Sequence, residues 1–454
     1  MTPELIAKYD RRLPRYTSYP TAPHFGPAVD DRVYRSWLGA QDEQNSASIY
    51  LHVPFCRRIC WYCGCHTSAV DRADLISAYG HLLGREIELV GDAIGFRLPV
   101  HNIHWGGGTP STLSHAEMET VIGMIADRFR VAAGAEISIE LDPRELTPDR
   151  PGKLAALGIN RASIGVQDFD PSVQRAINRI QPYDMTARAV GWLRDAGIGG
   201  INFDLMYGLP NQTVASVRDT ASRAADLRPD RIALFGYAHV PWMRKRQGLI
   251  PEASLPGLHE RFTQAEAAAK MLAERGYVRV GLDHFAQPDD PMAATLDKGG
   301  LNRNFQGYTT DDNPVLLGIG VSSIGRLPQG YVQNTTDVSV YRDRLRYERL
   351  PTVRGISFSG DDRARGAVIE RLMCDLAVDL DSVVGQFNLP PDCFDSELAR
   401  LEPLVADGIA RRCGSRIEVT EEGRPLLRAV AALFDSYLTA PTTSAAAPRH
   451  SSVV

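Results

Sequence analysis

Three closely spaced cysteines constrain this chain more than any other feature. Cys56, Cys60 and Cys63 follow a C-x3-C-x2-C spacing within the run His52-Val53-Pro54-Phe55-Cys56-Arg57-Arg58-Ile59-Cys60-Trp61-Tyr62-Cys63-Gly64-Cys65. Four of the seven cysteines lie within ten residues, whereas Cys374, Cys393 and Cys413 are scattered. A disulfide framework spreads its cysteines along the chain, while a tight cluster in a reducing compartment binds metal or takes part in catalysis. Three thiolates on one short loop can hold three corners of a [4Fe-4S] cubane and leave its fourth iron open, whereas electron-transfer clusters are closed by four. Structural zinc is the competing reading. It normally needs four ligands in two paired knuckles, and no second pair follows downstream.

The cysteines sit inside an alternating pattern. β-Branched and aromatic runs at 49–55, 103–105, 136–141, 161–166, 200–206 and 231–237 alternate with amphipathic stretches at 74–94, 114–129, 186–196 and 214–227. Such spacing suits parallel βα units, and right-handed crossovers tend to close around a parallel sheet. The expected fold is therefore α/β, a partial (β/α)6 barrel over residues 45–245. The polar residues fall where strands end, on the face where such barrels carry their sites. The cysteine loop follows the first strand and Gly106-Gly107-Gly108-Thr109-Pro110 the second, while Glu140, Gln167, Asp204 and His239 close the next four.

Residues 1–44 form a lead-in arm. Beyond the barrel, 246–359 read as an extension, with a helix at 258–275 and extended segments at 277–283 and 315–324. Residues 360–438 read as a mainly helical, winged-helix-like domain, with a hairpin at 409–420 turning at Gly414-Ser415. The Ser-, Thr-, Ala- and Pro-rich tail, 439–454, reads as disordered. A winged helix raises the question of DNA. Residues 360–438 carry nine arginines and no lysine against fifteen acidic residues, which opposes phosphate binding and favours a structural or lid-like role.

With 50 basic and 55 acidic residues the formal net charge is −5, so no nucleic-acid partner is expected. No apolar run reaches the roughly 20 residues of a membrane span, and the start lacks a secretory signal, so the expected location is cytoplasmic.

An open iron can be chelated by the amino and carboxylate groups of S-adenosylmethionine. The cysteine spacing, followed about 45 residues later by a glycine run after a strand, resembles the radical S-adenosylmethionine superfamily, whose fold is a partial β/α barrel. The flanks narrow the resemblance. Arg15-Tyr16-Thr17-Ser18-Tyr19-Pro20-Thr21, His104 to Pro110, Glu136 to Glu140, Gly165-Val166-Gln167-Asp168-Phe169 and Asn304-Phe305-Gln306-Gly307-Tyr308-Thr309-Thr310 together resemble the oxygen-independent coproporphyrinogen III oxidases, from about residue 8 to 438.

That resemblance implies oxidative decarboxylation of two propionates of coproporphyrinogen III to vinyl groups, giving protoporphyrinogen IX in heme synthesis. The implied cofactors are a [4Fe-4S] cluster on Cys56, Cys60 and Cys63 and two S-adenosylmethionine molecules. Tyr50, Gly107, Glu140 and Ile324 are implied contacts of the cluster-bound cofactor. Tyr62, Gly108, Thr109, Gln167, Arg179, Asp204 and Ala238 are implied contacts of the second. A low-potential donor such as flavodoxin or ferredoxin, and a monomeric state, complete the picture. A side chain at Gly108 is expected to intrude on cofactor while sparing the cluster.

Cys65 extends the motif to C-x3-C-x2-C-x-C. As a fourth ligand it would block the open iron, so it is read as a reaction residue, against the alternative of an inert thiol. It also separates the chain from related heme-binding chaperones and from radical methyltransferases acting on tetrapyrroles, the two alternative functions. Gln306 and Tyr308 are expected to line the substrate pocket. The 15–21 arm either covers the barrel mouth and excludes water or is a flexible terminus.

Overall fold

The computed structural model describes residues 1–438; the tail expected at 439–454 lies outside the described residues. The chain forms two compact units, each assembled from separated segments: His24–Asp204 with Asp311–Ser357, and Met1–Pro23 with Leu205–Thr310 and the chain from Phe358 onward.

The first unit carries the expected βα alternation. Its strands are Ala47–Val53, Pro99–Gly107, Arg130–Leu141 and Arg161–Gln167, each neighbouring pair parallel. Ala47–Val53 is buried along nearly its whole length, as a strand covered on both faces must be. The helix Ala73–Ile94 returns the chain from the first strand to the second and stops at Gly95, whose φ of +83 is the left-handed ending glycine allows. The helix His115–Arg128 opens on a capping box, Ser114 with Glu117, so its start is written in the local sequence.

Two features here were not anticipated. The extended stretch 315–324 is two strands, Val315–Ile319 and Ile324–Leu327, separated by a turn in which Gly320 and Ser322 have positive φ. Val315–Ile319 adds to the free side of Ala47–Val53 in parallel, with Tyr50 opposite Gly318, and Gly330–Asn334 and Thr352–Ser357 then extend the sheet antiparallel. The helix Asp31–Gly39, capped by the Asp30 carboxylate, was also missed.

Gly200–Tyr207 runs from one unit into the other. In the second unit its sheet neighbour is Arg231–Gly236, which pairs antiparallel with His284–Ala286. The C-terminal segment matches the winged-helix pattern. Helices Asp362–Asp375, Leu380–Phe387 and Asp395–Ala406 precede the hairpin Ala410–Cys413/Arg416–Val419, and Ala377–Asp379 adds a third strand. The N-terminal arm packs on this segment. Ile6, Tyr9, Tyr16 and Tyr19 share a core with Val368, Leu372, Leu401 and Phe434. Burying each such side chain contributes roughly 1.5–3 kcal/mol. The Tyr16 hydroxyl donates to Asp435 at 3.1 Å, and Tyr19 hydrogen-bonds Ser436 at 3.0 Å. The arm is thus an ordered, buried part of its unit.

Candidate active site

The cysteine loop is held at both ends. Phe55–Cys56 pairs in parallel with Ser68–Ala69, closing the loop at its base. At its far side, Trp61 N–H donates to Ile177 O at 3.0 Å and Asn178 Nδ2 to Ile59 O at 2.9 Å. The loop is thereby fixed by hydrogen bonds to its backbone from elsewhere in its unit.

Donors converge on the sulfurs. Thr109 Oγ1 lies 3.6 Å from Cys56 Sγ, while Arg144 Nη2 and Arg179 Nη1 lie 3.3 and 3.4 Å from Cys60 Sγ. Asp142 ties the two arginines together, 2.6 Å from Arg144 and 3.2 Å from Arg179. Burial raises the Asp142 pKa, but the two guanidinium groups outweigh it and hold the carboxyl at about 2. Burial pushes the Cys56 thiol up to about 11, so a metal bound there would have to displace its proton. Among the described residues no three Cys, His, Asp or Glu side chains converge as a single ion requires. A cubane asks for thiolates at separate corners, and sulfurs faced by guanidinium and hydroxyl donors fit such an anionic thiolate-held cluster.

The glycine loop lies against the same strand. Gly108 N–H donates to Val53 O and Thr109 N–H to Phe55 O, both at 2.8 Å. A Cβ on Gly108 would stand 2.6 Å from Phe55 O, so the residue is glycine because two backbones touch there. This corrects the expectation that a side chain at Gly108 would intrude on cofactor alone: it would also displace the strand carrying Cys56. At Gly107, φ is +110 and a Cβ would meet the His52 ring at 2.6 Å.

Gly107 N–H donates to Glu140 Oε2 at 3.1 Å, and His104 Nε2 lies 3.2 Å from Oε1. Burial opposes the charge on Glu140, yet its pKa is lowered by His104 and the Gly107 amide. Tyr50 stacks beside His104, with its hydroxyl 3.1 Å from His52 Nδ1, and burial lowers His52 to about 4, keeping that ring neutral. Asp204 behaves oppositely to Glu140: burial, and then the Glu140 charge, push it up to about 7. Two nearby carboxyls thus differ in protonation near neutrality, one charged acceptor and one able to donate.

Of the residues expected at the site, the first unit brings together Tyr50, the four motif cysteines, Gly107, Gly108, Thr109, Glu140 and Arg179. Ile324 begins the strand beside Val315–Ile319, where its carbonyl meets Gly318 opposite Tyr50. Gln167 ends its strand buried at φ +67, with its amide above Gly165 near Arg179. Tyr62 lies on the loop near Arg179. Arg179, an implied contact of the second S-adenosylmethionine, pairs here with Asp142. Ala238, Gln306 and Tyr308 belong to the second unit. Gln306 sits at the hairpin tip between Asn302–Asn304 and Gly307–Thr309, while the Tyr308 hydroxyl is taken up by Leu282 N and Met373 O at 3.0 and 2.7 Å. Tyr308 is in the core, and its ring carries the Arg303 guanidinium 4.3 Å from its centroid.

The reading of the sequence missed Asp142, Arg144, His52 and His104 as site residues. Asp142-Pro143-Arg144 directly follows the strand that carries Glu140, so its place on the strand-end rim was the available signal.

Residues 50–224 match the family model described as the Radical SAM superfamily, which agrees with the three-cysteine loop at the end of the first strand of a β/α array. The comparisons reach further than this class. The chain is 50% identical to the oxygen-independent coproporphyrinogen III oxidase of Bradyrhizobium diazoefficiens, over 96% of this chain and 98% of that one. It is 44% identical to the enzyme of the same name from Paracoccus denitrificans, over 96% of each. A solved structure from Escherichia coli, titled as coproporphyrinogen III oxidase and a radical SAM enzyme, superposes with a TM-score of 0.89 at 36% identity, over 94% of this chain and all of that one. The chain belongs to the oxygen-independent coproporphyrinogen III oxidase family.

Proposed function

We propose that the residues gathered around Cys60 and Glu140 carry the family's reaction in this chain. Its activity is the oxygen-independent oxidative decarboxylation of two propionates of coproporphyrinogen III to vinyl groups, giving protoporphyrinogen IX in heme synthesis. It uses a [4Fe-4S] cluster and S-adenosylmethionine. With both bound, the reduced cluster and S-adenosylmethionine would supply a 5'-deoxyadenosyl radical able to take a hydrogen atom from a propionate side chain; loss of carbon dioxide then leaves the vinyl group and one electron, which must pass to a separate electron acceptor.

The chain's own residues bind and orient. Cys56, Cys60 and Cys63 would hold the cluster, with Thr109, Arg144 and Arg179 donating to their sulfurs. Glu140, kept ionised by His104 and the Gly107 amide, would accept from the cofactor's ammonium or ribose hydroxyls, beside Tyr50, Gly107 and Ile324. Tyr62, Gly108, Thr109, Gln167 and Asp204 would contact a second S-adenosylmethionine, Asp204 donating when protonated. Cys65 and Gln306 are read as substrate-side residues. Tyr308, with its hydroxyl occupied, serves by holding Arg303.

The observation that carries this reading is the convergence of Thr109, Arg144 and Arg179 on the motif sulfurs, which serves a thiolate cluster and has no use in an apolar core. One-electron reduction of such a cluster calls for a low-potential carrier of the flavodoxin or ferredoxin class. The chain is read as a monomer, and among the described residues no helix is long and apolar enough to cross a membrane. Clustered cysteines that form no disulfide among the described residues favour the cytoplasm. The test is an anaerobic assay of reconstituted protein with coproporphyrinogen III, S-adenosylmethionine and reductant. Formation of protoporphyrinogen IX with 5'-deoxyadenosine is expected; 5'-deoxyadenosine without porphyrinogen turnover would redirect the assignment to another substrate.

A further inference from the structure

The second unit contains a cavity of about 290 Å³ with an unusual charge balance: six arginines line it against three carboxylates. Two of the carboxylates are already engaged, Glu266 with Arg279 at 3.3 Å and Asp283 near Arg303 at 4.0 Å. Arg12, Arg15, Arg261 and Arg428 share the cavity wall with the third carboxylate, Asp10. Arg15 donates to the Gly236 carbonyl at 2.9 Å and Arg261 to the Tyr237 carbonyl at 2.8 Å; neither forms an ion pair among the described residues. Neutral carbonyls satisfy hydrogen bonds but do not cancel charge. Burial lowers the pKa of Arg261, and burial followed by the Arg15 charge lowers that of Arg428 to about 10. Cations are crowded and desolvated here, which an anion would relieve.

The remaining wall is aromatic and aliphatic, including Tyr207, Phe262 and Phe285. A purely inorganic anion has no use for such surface, whereas a flat apolar ring edge bearing carboxylates uses both.

We propose that this cavity grips the propionate carboxylates of the porphyrinogen that survive the reaction. The inference rests on the coproporphyrinogen III reading and deepens it. Two of the four propionates are lost as carbon dioxide, so a protein that processes both must hold the substrate by groups it does not consume. The two persisting carboxylates are those groups, and several guanidinium forks match them in charge and geometry. The cavity needs to receive only one edge of the tetrapyrrole. A carboxylate could also come from S-adenosylmethionine, since Ala238 borders the cavity. That molecule brings one carboxylate and an adjacent ammonium, which an arginine cluster disfavours.

The experiment uses anaerobically reconstituted holoenzyme, with Arg261→Gln, Arg15→Gln and the charge-retaining Arg261→Lys. Fluorescence titration compares coproporphyrin III with its tetramethyl ester, alongside S-adenosylmethionine affinity and the KM and kcat for coproporphyrinogen III. The parent should bind the acid far better than the ester. Each Gln variant should lose about tenfold or more in acid binding, with KM rising to match and S-adenosylmethionine affinity unchanged, as expected for a lost charge-assisted bond. Arg261→Lys should recover part of the loss. Equal binding of acid and ester by the parent would overturn the proposal whether or not the variants fold. So would Gln variants that lose S-adenosylmethionine instead of porphyrin. A parent that binds the acid in this arginine-dependent way but turns none over would leave the cavity assigned and remove the reaction instead.

Discussion

The guanidinium of Arg179 sits 3.4 Å from the sulfur of Cys60 while the same nitrogen lies 3.2 Å from Asp142. A donor to a cluster thiolate favours the reduced, more negative state and so raises the potential. Arg179→Lys keeps the charge but loses the fork. The expected result is retained iron and sulfide with a reduction potential more negative by tens of millivolts, read by a redox titration followed by electron paramagnetic resonance. An unchanged potential would assign Arg179 to packing alone.

Cys65 is exposed, and its thiol is hydrogen-bonded to Cys63. Three thiolates suffice for an open cluster, so Cys65→Ser should keep iron and sulfide at the parent level while lowering protoporphyrinogen formation. Loss of the cluster would make Cys65 a ligand; full activity would make it a spectator. Continued 5'-deoxyadenosine release with little decarboxylation would place its role after radical generation.

Gly108→Ala should reduce cluster loading as well as S-adenosylmethionine binding, because its Cβ would press on the Phe55 carbonyl one residue before Cys56. Backbone on both sides leaves no flexible side chain to yield, and a loss of roughly 1–3 kcal/mol is expected. Iron quantitation and thermal melting check this. Full cluster loading with only cofactor binding impaired would restore the open-space reading of this position.

Glu86 gives stability a pH dependence. It is fully buried, accepting from Gly320 N–H at 2.7 Å, Asn334 Nδ2 at 2.6 Å and the Tyr341 hydroxyl at 2.5 Å. Burial nevertheless raises its pKa from 4.5 to about 7. Between those values the folded state keeps a proton that the unfolded state has released. Its contribution is therefore complete below pH 4.5 and is lost as pH rises through about 7, amounting to about 3 kcal/mol at most. Denaturant unfolding at about pH 5 and about pH 8 should show this slope in the parent and a flatter one in Glu86→Gln. Identical slopes would mean that Glu86 titrates alike folded and unfolded.

The barrel strands and their helices were legible because both depend on neighbours a few residues away. The run 161–166 matched Arg161–Gln167 and 214–227 matched Val214–Asp226, since alternation, β-branching and capping act locally. The cysteine motif was legible for the same reason, since its four cysteines share one short loop. The helix Pro3–Tyr9 was not, because its seven residues are too short for a period and are held by burial of Ile6 and Tyr9 against distant helices. The groups that face the motif sulfurs were harder to read: Asp142 and Arg144 were missed, and Arg179 was named only through the family resemblance. Arg144 and Arg179 reach Cys60 from 84 and 119 residues away, and each alone reads as a surface charge. The arginine cavity gathers Arg12, Arg15, Arg261 and Arg428 from across the chain. Spacing along a sequence fixes which groups share a turn or a strand end, but which charges meet in a buried space is decided by how sheet and helices pack, and only the tertiary structure contains that.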